Sequence, residues 1–406
     1  MDNRLDFRNL FSISGLRVFI SIIPYLGNIY IARKLDVETF GQYFFFLSVV
    51  PFILSLFALN IHAGYRVIYS KQPEISESAS LNIFVFFQAL ALLAFIFLFI
   101  FENNFRLLEF SVLEIALLCF FCHLSVCISL MESSSIIIQS ARHFIYFVAL
   151  PVIFGWIFSL YIFDLSLSWQ LRVLFYSTFI YVIYFFYFTR LCLKSGIKNI
   201  FLGIKDMLNI GGHLVLPTYL ISFYVFIDRY FLKLNLSDIE FGAISYILQL
   251  VLILVFGFQV LTLLYEQLLL RSTKISKFLN AYWYGFYSFL SILIIVISFM
   301  LSEYSEFLTK TIFLSETPID SILIILVSIL ALVKVIISIE SVNYYVKKQQ
   351  AKIFRFYLLA LPLYLIIFAD LFSLFHSLVL LIIGNLIIVL TMILYRTTRF
   401  RITLTK

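Results

Sequence analysis

Residues 28–43, NIYIARKLDVETFGQY, join the end of one long apolar segment to the start of the next. A related stretch, DRYFLKLNLSDIEFGAISY, occupies residues 228–246. Aligning Phe40-Gly41 with Phe241-Gly242 gives an offset of 201 residues, close to half of the 406-residue chain. A similarity at this offset predicts that the chain consists of two related halves.

The composition places the chain in a lipid bilayer. Hydrophobic residues make up 63% of the sequence, charged residues 13%, and the mean hydropathy is +1.06, whereas soluble domains carry roughly 25% charged residues. A membrane-spanning helix needs about 20 mostly apolar residues. Twelve runs meet this need, at approximately 11–31, 42–65, 80–101, 111–131, 143–163, 171–191, 208–230, 242–265, 279–301, 319–341, 354–373 and 376–395.

These runs predict an all-α polytopic membrane protein with about 12 transmembrane helices. The repeat divides them into two pseudo-symmetric six-helix bundles, residues 1–200 and 201–406, joined through the basic loop at 194–205. Because six is an even number of spans, both bundles have the same orientation, and we expect an axis along the membrane normal to relate them.

The placement of basic residues predicts the topology. Of the 29 Lys and Arg residues, 20 fall in segments on the side of the N-terminus and 7 in the opposite loops, while Arg17 and Lys334 fall within spans. Basic loops face the cytoplasm, so both termini of this multi-pass membrane protein are predicted to be cytoplasmic. The net charge of +7 is therefore a topological signal, and no nucleic acid is expected as a partner.

Polar residues recur on one face of the first span. They lie three or four positions apart, as on one side of a helix, at Ser14, Arg17, Ser21, Pro24 and Asn28. Adding 201 to positions 17, 21 and 28 gives Thr218, Ser222 and Arg229. We expect the polar residues of these faces, with Ser338, to line a cavity, since a polar face turns toward protein or water. Packing of helices through small hydroxyl residues is the alternative.

Two basic residues lie where a bilayer makes them costly. A charge within a span costs about 2.5–3.5 kcal/mol on insertion scales, and Arg17 and Lys334 both occupy such positions. Lys334 shares its segment with Ser328, Ala331, Ser338 and Ser341. If both cations face one cavity, they form a basic floor suited to an anionic head group; snorkelling to the interface is the rival explanation.

Acidic residues suggest a weaker hypothesis of ion coupling. Glu114 and Asp370 lie toward the outer ends of their spans and are candidates for a proton or sodium relay, whereas solvation at the cytoplasmic end explains Glu132, Glu266 and Glu340. No other cofactor or metal is expected, since Cys119 and Cys122 lie inside an apolar run without a second pair. No phosphate-binding loop or catalytic set stands out, so the chain is not expected to be an enzyme.

Three stretches resemble bacterial polysaccharide-biosynthesis membrane proteins. Residues 29–70 match the start of that family at Ala32, Arg33, Leu35, Phe40, Gly41, Tyr43, Gly64 and Arg66. Residues 228–246 are similar to its second-half signature, and IIQSARHFIYF, at 137–147, is similar to its turn between the fourth and fifth helices.

The resemblance implies an O-antigen or capsule repeat-unit flippase of the Wzx type, within the MOP superfamily that also contains MATE multidrug exporters and lipid II flippases. Such proteins have two six-helix bundles around a cationic cavity. Their alternating access moves undecaprenyl-diphosphate-linked oligosaccharide, used in lipopolysaccharide or capsule, from the cytoplasmic to the periplasmic leaflet. Arg17 and Lys334 would meet the pyrophosphate, and Ser21, Thr218 and Ser222 would line the sugar path. The implied partners are this lipid-linked substrate, membrane lipids and other polysaccharide assembly proteins.

Two other functions stay open. A multidrug exporter of the same superfamily should carry more buried acids than bases, because its substrates are often cations. An O-antigen polymerase or membrane acyltransferase is the enzymatic alternative, although many such polymerases carry a large outer loop and the loops predicted here are short.

Overall fold

A computed structural model describes residues 7–57, 65, 76–105, 110–138, 140–195, 226, 227, 229–234, 236–246, 248, scattered positions between 292 and 310, 321–346, 350–368 and 374–404. Within these residues the regular secondary structure is helical. The helices of known bounds are α1 Phe7–Ala32, α2 Val37–Phe57, α3 Ser76–Phe105, α4 Val112–Ile138, α5 Ala141–Ser166, α6 Trp169–Ser195, α7 Ser321–Val346, α8 Gln350–Phe368 and α9 Leu374–Leu404.

The helices agree with the predicted spans wherever the structure describes them. Each of α1–α9 overlaps one of the twelve apolar runs, and six of them (α1, α2, α4, α5, α6 and α9) are long and apolar enough to cross a membrane. The prediction of an all-α polytopic protein is confirmed. The runs at 208–230, 242–265 and 279–301 lie largely outside the described residues, so the count of twelve stays a prediction.

The chain forms two compact units that share the first two helices. One unit consists of Met1–Gly27 and Phe46–Phe226, and the other of Asn28–Phe45 and Ile227–Lys406. In the first unit α3, α4 and α6 contact one another and α5 packs along α6; in the second unit α7, α8 and α9 contact one another. A boundary between bundles near residue 200 stays a prediction.

Close packing in the first unit depends on a small residue and a buried cation. Gly155 of α5 lies against α6, where an added Cβ would come within 3.1 Å of Ile180 and 3.2 Å of Tyr176. The Arg172 guanidinium lies 3.8 Å from the centre of the Trp156 ring, and only 2% of Arg172 is exposed. Arg172 is one of the seven basic residues that the charge count assigns to the loops opposite the N-terminus. The structure instead buries it in the first turn of α6, where the indole face offsets its charge.

The two repeated stretches have the same local structure. The N–H of Leu35 donates to the carbonyl of Ile31 at 3.0 Å, and 201 residues later the N–H of Leu236 donates to that of Leu232 at 3.1 Å. The helix that follows begins at a capping residue in both cases. Asp36 accepts from the Thr39 N–H at 2.8 Å, while Ser237 and Glu240 form a reciprocal capping box with bonds of 3.0 and 3.3 Å.

The two stretches meet at their glycines, within the second unit. A Cβ added to Gly41 would lie 3.1 Å from the Gly242 Cα. Phe40 stacks obliquely on Tyr246 with ring centres 4.7 Å apart, and the equivalent pair, Phe241 with Phe45, lies at 6.1 Å. Since positions 40 and 45 correspond to 241 and 246, each stretch offers the same surface to the other. Such a reciprocal contact indicates a local pseudo-two-fold axis.

This crossing predicts the effect of adding one methyl group. A Cβ at Gly242 would lie 2.0 Å from the Val37 carbonyl oxygen, which belongs to backbone and cannot turn aside. We expect Gly242→Ala to destabilise the purified protein by at least about 1–3 kcal/mol, as in overpacked cores, and Gly41→Ala to cost less. Thermal unfolding in detergent measures both.

Gly15→Ala is the matched control, because no atom of the described residues lies within 4 Å of a Cβ at that α1 position. Alanine is the better helix former, so this variant should unfold at the same temperature as the parent or higher. Equal melting of Gly242→Ala and Gly15→Ala would contradict the close glycine contact.

The cap at Asp36 predicts a dependence on pH. Its bond from the Thr39 N–H, with a second from the Thr39 hydroxyl, holds the pKa of Asp36 below its usual value. Because the folded pKa is lowered, the stabilisation is present above the unfolded pKa of about 4 and is lost as pH falls through the folded value. Asp36→Ala should cost about 1 kcal/mol at neutral pH. Asp36→Asn should keep the cap and remove this acid dependence, as thermal melts at neutral and acidic pH can check.

Candidate functional site

Arg17 is neutralised within the first unit by an acid from another helix. Its Nε lies 2.7 Å from Oε1 of Glu132 on α4, and the two side chains are 27% and 15% exposed. Pairing offsets the cost of removing both charges from water. The sequence analysis explained Glu132 by solvation at a helix end; the structure instead pairs it with the cation predicted to bind substrate.

Polar side chains continue along α4 from this ion pair. Ser135, one turn beyond Glu132, is fully buried and its hydroxyl donates to the Met131 carbonyl at 2.8 Å. Its oxygen also lies 2.7 Å from Nδ1 of His143, at the start of α5. We name Arg17, Glu132, Ser135 and His143 the polar cluster.

A π-helical turn, Ile145–Ala149, follows the polar cluster in α5. Tyr184 of α6 donates its hydroxyl to the Phe147 carbonyl of this turn at 2.8 Å. Single π turns inside α-helices are frequent at functional sites, since they change which side chains share a face. Here the turn lies between His143 and the α-helical remainder of α5, Leu150–Ser166.

Lys334 lies in α7 of the second unit. It is half-buried, and Ser341, two turns along the same face, is buried with its hydroxyl donating to the Ile337 carbonyl at 2.7 Å. Glu340 of the same helix is fully buried. The two cations predicted to bind substrate thus belong to different units, Arg17 to the first and Lys334 to the second.

Asn28 and Arg229, which occupy equivalent positions of the repeat, both contact the start of α2. Asn28 is 6% exposed and its Oδ1 accepts from the Tyr43 hydroxyl at 2.8 Å. The Arg229 guanidinium lies 5.3 Å from the centre of the Phe44 ring. Both contacts hold the second unit together, and a role of Asn28 in lining a cavity stays a prediction.

Glu114 has a structural partner in Ser111, the residue before α4. It is the third residue of α4 and forms a capping box with Ser111, accepting from the Ser111 N–H at 2.9 Å and its hydroxyl at 2.8 Å. Gln170 of α6 donates to its other oxygen at 3.3 Å. A role in ion coupling stays a prediction.

Of the other predicted site residues, three lie in described helices and three do not. Ser14 and Ser21 lie in α1 and Ser338 lies in α7. Thr218, Ser222 and Asp370 lie outside the described residues.

Solved structures of transporters share this fold. A MOP superfamily transporter from Pyrococcus furiosus, described by a reverse polarity of its binding pocket, matches with a TM-score of 0.68, 12% identity, and 96% of this chain and 95% of that one covered. A MATE family multidrug resistance transporter matches in its inward-facing conformation (TM-score 0.64, 11% identity, 95% and 98% covered). A MATE family transporter also matches in the outward-facing conformation (TM-score 0.66, 11% identity, 96% and 95% covered).

These likenesses, at low sequence identity, establish the fold, and with it the predicted MATE/MOP-like fold class. No protein-family model and no curated protein sequence matches the chain.

The Arg17–Glu132 pair predicts strong coupling between two mutations. Arg17→Ala and Glu132→Gln should each lower the unfolding free energy by about 1–3 kcal/mol, because each leaves a group in the span without its charge partner. The double variant should lose less than the sum of the two, as thermal unfolding of the four proteins in detergent will measure. Strictly additive losses would show that the pair contributes nothing.

Proposed function

We propose that this chain is a membrane transporter that works by alternating access and moves undecaprenyl-diphosphate-linked oligosaccharide repeat units of O-antigen or capsule from the cytoplasmic to the periplasmic leaflet. The observation that carries the proposal is the Arg17–Glu132 pair, a cation maintained inside a span by an acid. The fold shared with MATE and MOP superfamily transporters supports the transport part of the proposal.

The chemistry of Arg17 suits a diphosphate. A guanidinium presents five N–H donors in a planar fork that binds phosphate oxygens in pairs. The Glu132 carboxylate offers fewer charged acceptor oxygens than a diphosphate. The substrate would therefore displace Glu132 from the Arg17 guanidinium. After release, Glu132 would again neutralise Arg17. The acid thereby keeps the empty transporter free of an uncompensated charge in the bilayer.

Lys334 supplies the corresponding cation in the second unit. Its half-buried position in α7 keeps an ammonium group inside a span, and an ammonium acts on phosphate as a point charge. We assign Lys334 a supporting role in binding the anionic head, with the polyprenyl tail remaining in lipid. A proton or sodium gradient would supply the driving force.

One structural neighbour bears on the choice of substrate. The Pyrococcus furiosus transporter is described as having a binding pocket of reversed polarity that suggests a different function. We infer that a basic pocket would in the same way adapt the fold of this chain to an anionic substrate.

A multidrug exporter of the same superfamily is the second candidate. It is favoured by acids in the described helices, because Glu102 is 6% exposed and Glu340 is fully buried. Buried carboxylates suit cationic drugs. An enzymatic role as O-antigen polymerase or acyltransferase gains no support, since the structures that share the fold are transporters.

Replacing Arg17 tests the proposal in cells that lack the chromosomal copy. Arg17→Ala should reduce surface polysaccharide at least tenfold, because the diphosphate loses its paired hydrogen bonds, and single undecaprenyl-linked repeat units should accumulate on the cytoplasmic face. Arg17→Lys should restore function in part. The protein level is measured by immunoblot and the lipid-linked units by extraction and mass spectrometry.

Arg190→Ala, which removes an exposed cation at the end of α6, is the matched control and should leave surface polysaccharide unchanged. Normal polysaccharide in the Arg17→Ala strain would remove Arg17 from the site. Repeat units that reach the periplasm unpolymerised in the deletion strain would indicate a polymerase. Drug sensitivity with normal polysaccharide in that strain would indicate the exporter.

A further inference from the structure

Basic residues gather at one end of the helix pair α8 and α9 in the second unit. Lys352 and Arg355 lie in the first two turns of α8, and α9 carries three arginines in its last three turns, Arg396, Arg399 and Arg401. The two helices pack on each other, and Lys352 contacts Tyr395, so the start of α8 lies beside the end of α9. We name the five basic residues the basic collar.

Contacts among three helices fix the position of Lys352. Its ammonium group donates to the Tyr395 hydroxyl and lies 4.3 Å from the centre of the Tyr395 ring. That ring packs with Tyr344 of α7 and Phe356 of α8, at 6.3 and 5.9 Å between ring centres. The Tyr344 hydroxyl donates to the Met392 carbonyl of α9 at 2.6 Å. This part of the basic collar is therefore preorganised, which lowers the entropic cost of binding a ligand.

The basic collar lies at the depth of lipid phosphates. The apolar span of α9 is Leu378–Tyr395, and tyrosine is typical of the boundary between hydrocarbon and water. At 1.5 Å per residue, positions 396, 399 and 401 follow the end of the span by about 1.5, 6 and 9 Å. The head-group layer is roughly 5–8 Å thick on each side of the hydrocarbon. The collar is on the side of the membrane predicted to be cytoplasmic.

Leucines that face hydrocarbon follow the basic collar on both helices. Leu359 of α8 is 59% exposed, and Leu394 and Leu390 of α9 are 61% and 55% exposed. Arg355 is exposed and precedes Leu359 by one turn on the same face, while Arg401 lies two turns beyond Leu394 on the same face. Exposed apolar side chains along a span face lipid. A phospholipid whose head group contacts the collar can therefore place its chains along these leucines.

The helices that carry the basic collar contain no acid to neutralise it. Neither α8 nor α9 includes an Asp or Glu residue. The adjoining α7 contains one acid, Glu340, and it is fully buried. Clusters of about four to eight basic residues beside a membrane span attract the anionic lipids of a leaflet. The charge of the collar thus complements an anionic head group.

We propose that the basic collar and the exposed leucines of α8 and α9 bind an anionic phospholipid from the leaflet on that side of the membrane. The phosphate contacts the collar, Arg355 and Arg401 are the cations above the acyl chains, and the chains lie against the leucines. A zwitterionic phospholipid fits less well, because its head group carries a cation next to the phosphate. This site is independent of the diphosphate transport proposed for Arg17.

Photolabelling of the full-length protein in nanodiscs of zwitterionic lipid tests the proposal on the unaltered chain. The probes are phosphatidylglycerol and phosphatidylcholine with the same diazirine-bearing acyl chain, each added as a trace at low salt. Phosphatidylglycerol should label peptides of α8 and α9 at least about fivefold more, which corresponds to about 1 kcal/mol, the contribution of one Lys or Arg near a membrane surface. High salt should lower this ratio. Equal labelling by the two probes would overturn the proposal.

Two double variants locate the site. Arg355→Gln with Arg401→Gln removes the cations above the leucines, so the labelling ratio at α8 and α9 should fall to about one. Arg142→Gln with Arg190→Gln is the matched control, because it removes two exposed arginines from the start of α5 and the end of α6. The control should keep the ratio of the parent at α8 and α9. An unchanged ratio in the first variant, or an equal fall in the control, would contradict the assignment.

Undecaprenyl diphosphate, added as a competitor, distinguishes a phospholipid site from a part of the substrate path. Its competition with the phosphatidylglycerol probe should be the same in the parent and in Arg17→Ala, because the collar does not depend on Arg17. Competition that is lost in Arg17→Ala would assign the collar to the substrate and reject the proposal. If a variant does not fold, the comparison of the two probes on the parent still decides. Arg17→Ala should keep the labelling ratio, so failure of the transport proposal and failure of this one give different results.

Discussion

Hydrocarbon offers no hydrogen-bond partners, and this constraint explains where the polar side chains of the described helices lie. Arg17 and Glu132 neutralise each other, Asn28 receives the Tyr43 hydroxyl, and the Ser135 hydroxyl returns to its own helix. Each solution satisfies a group that the bilayer would leave without a partner. The proposed function concerns a place where such a solution is reversible, namely an ion pair in which a diphosphate can replace the carboxylate.

The polar residues of the described helices differ in what they contact, and these contacts bear on which of them could bind a substrate. Glu114 contacts Ser111 and Gln170, which begin α4 and join it to α6, and its predicted role in ion coupling stays a prediction. Arg172 is almost fully buried, and its guanidinium lies against the face of the Trp156 indole. Arg17 differs because its Nε pairs with the Glu132 carboxylate and its side chain keeps 27% exposure. The binding role proposed for Arg17 depends on both its charge partner and its partial exposure.

The sequence predicted the helices and the repeat because both are local. Apolar runs of about 20 residues determine the spans, and the Phe-Gly pairs at 40–41 and 241–242 gave the register that the equivalent caps at Asp36 and Ser237 now share. Contacts between distant residues could not be predicted this way. Glu132 pairs with a residue 115 positions earlier, and a carboxylate near a helix end gives no sign of whether it meets water or a guanidinium. The burial of Arg172 was missed for the same reason, since topology counts place a residue by depth and not by neighbour.

The contact between Gly41 and Gly242 has a consequence for the history of the chain. A surface that packs against a copy of itself is one that two identical polypeptides can use to dimerise. A polypeptide of half this length would contain everything required for the crossing, including the glycine and the aromatic residues beside it. Fusing two such copies removes the demand that they stay identical. Asp36 and Ser237 show the resulting freedom, because they begin equivalent helices with different side chains.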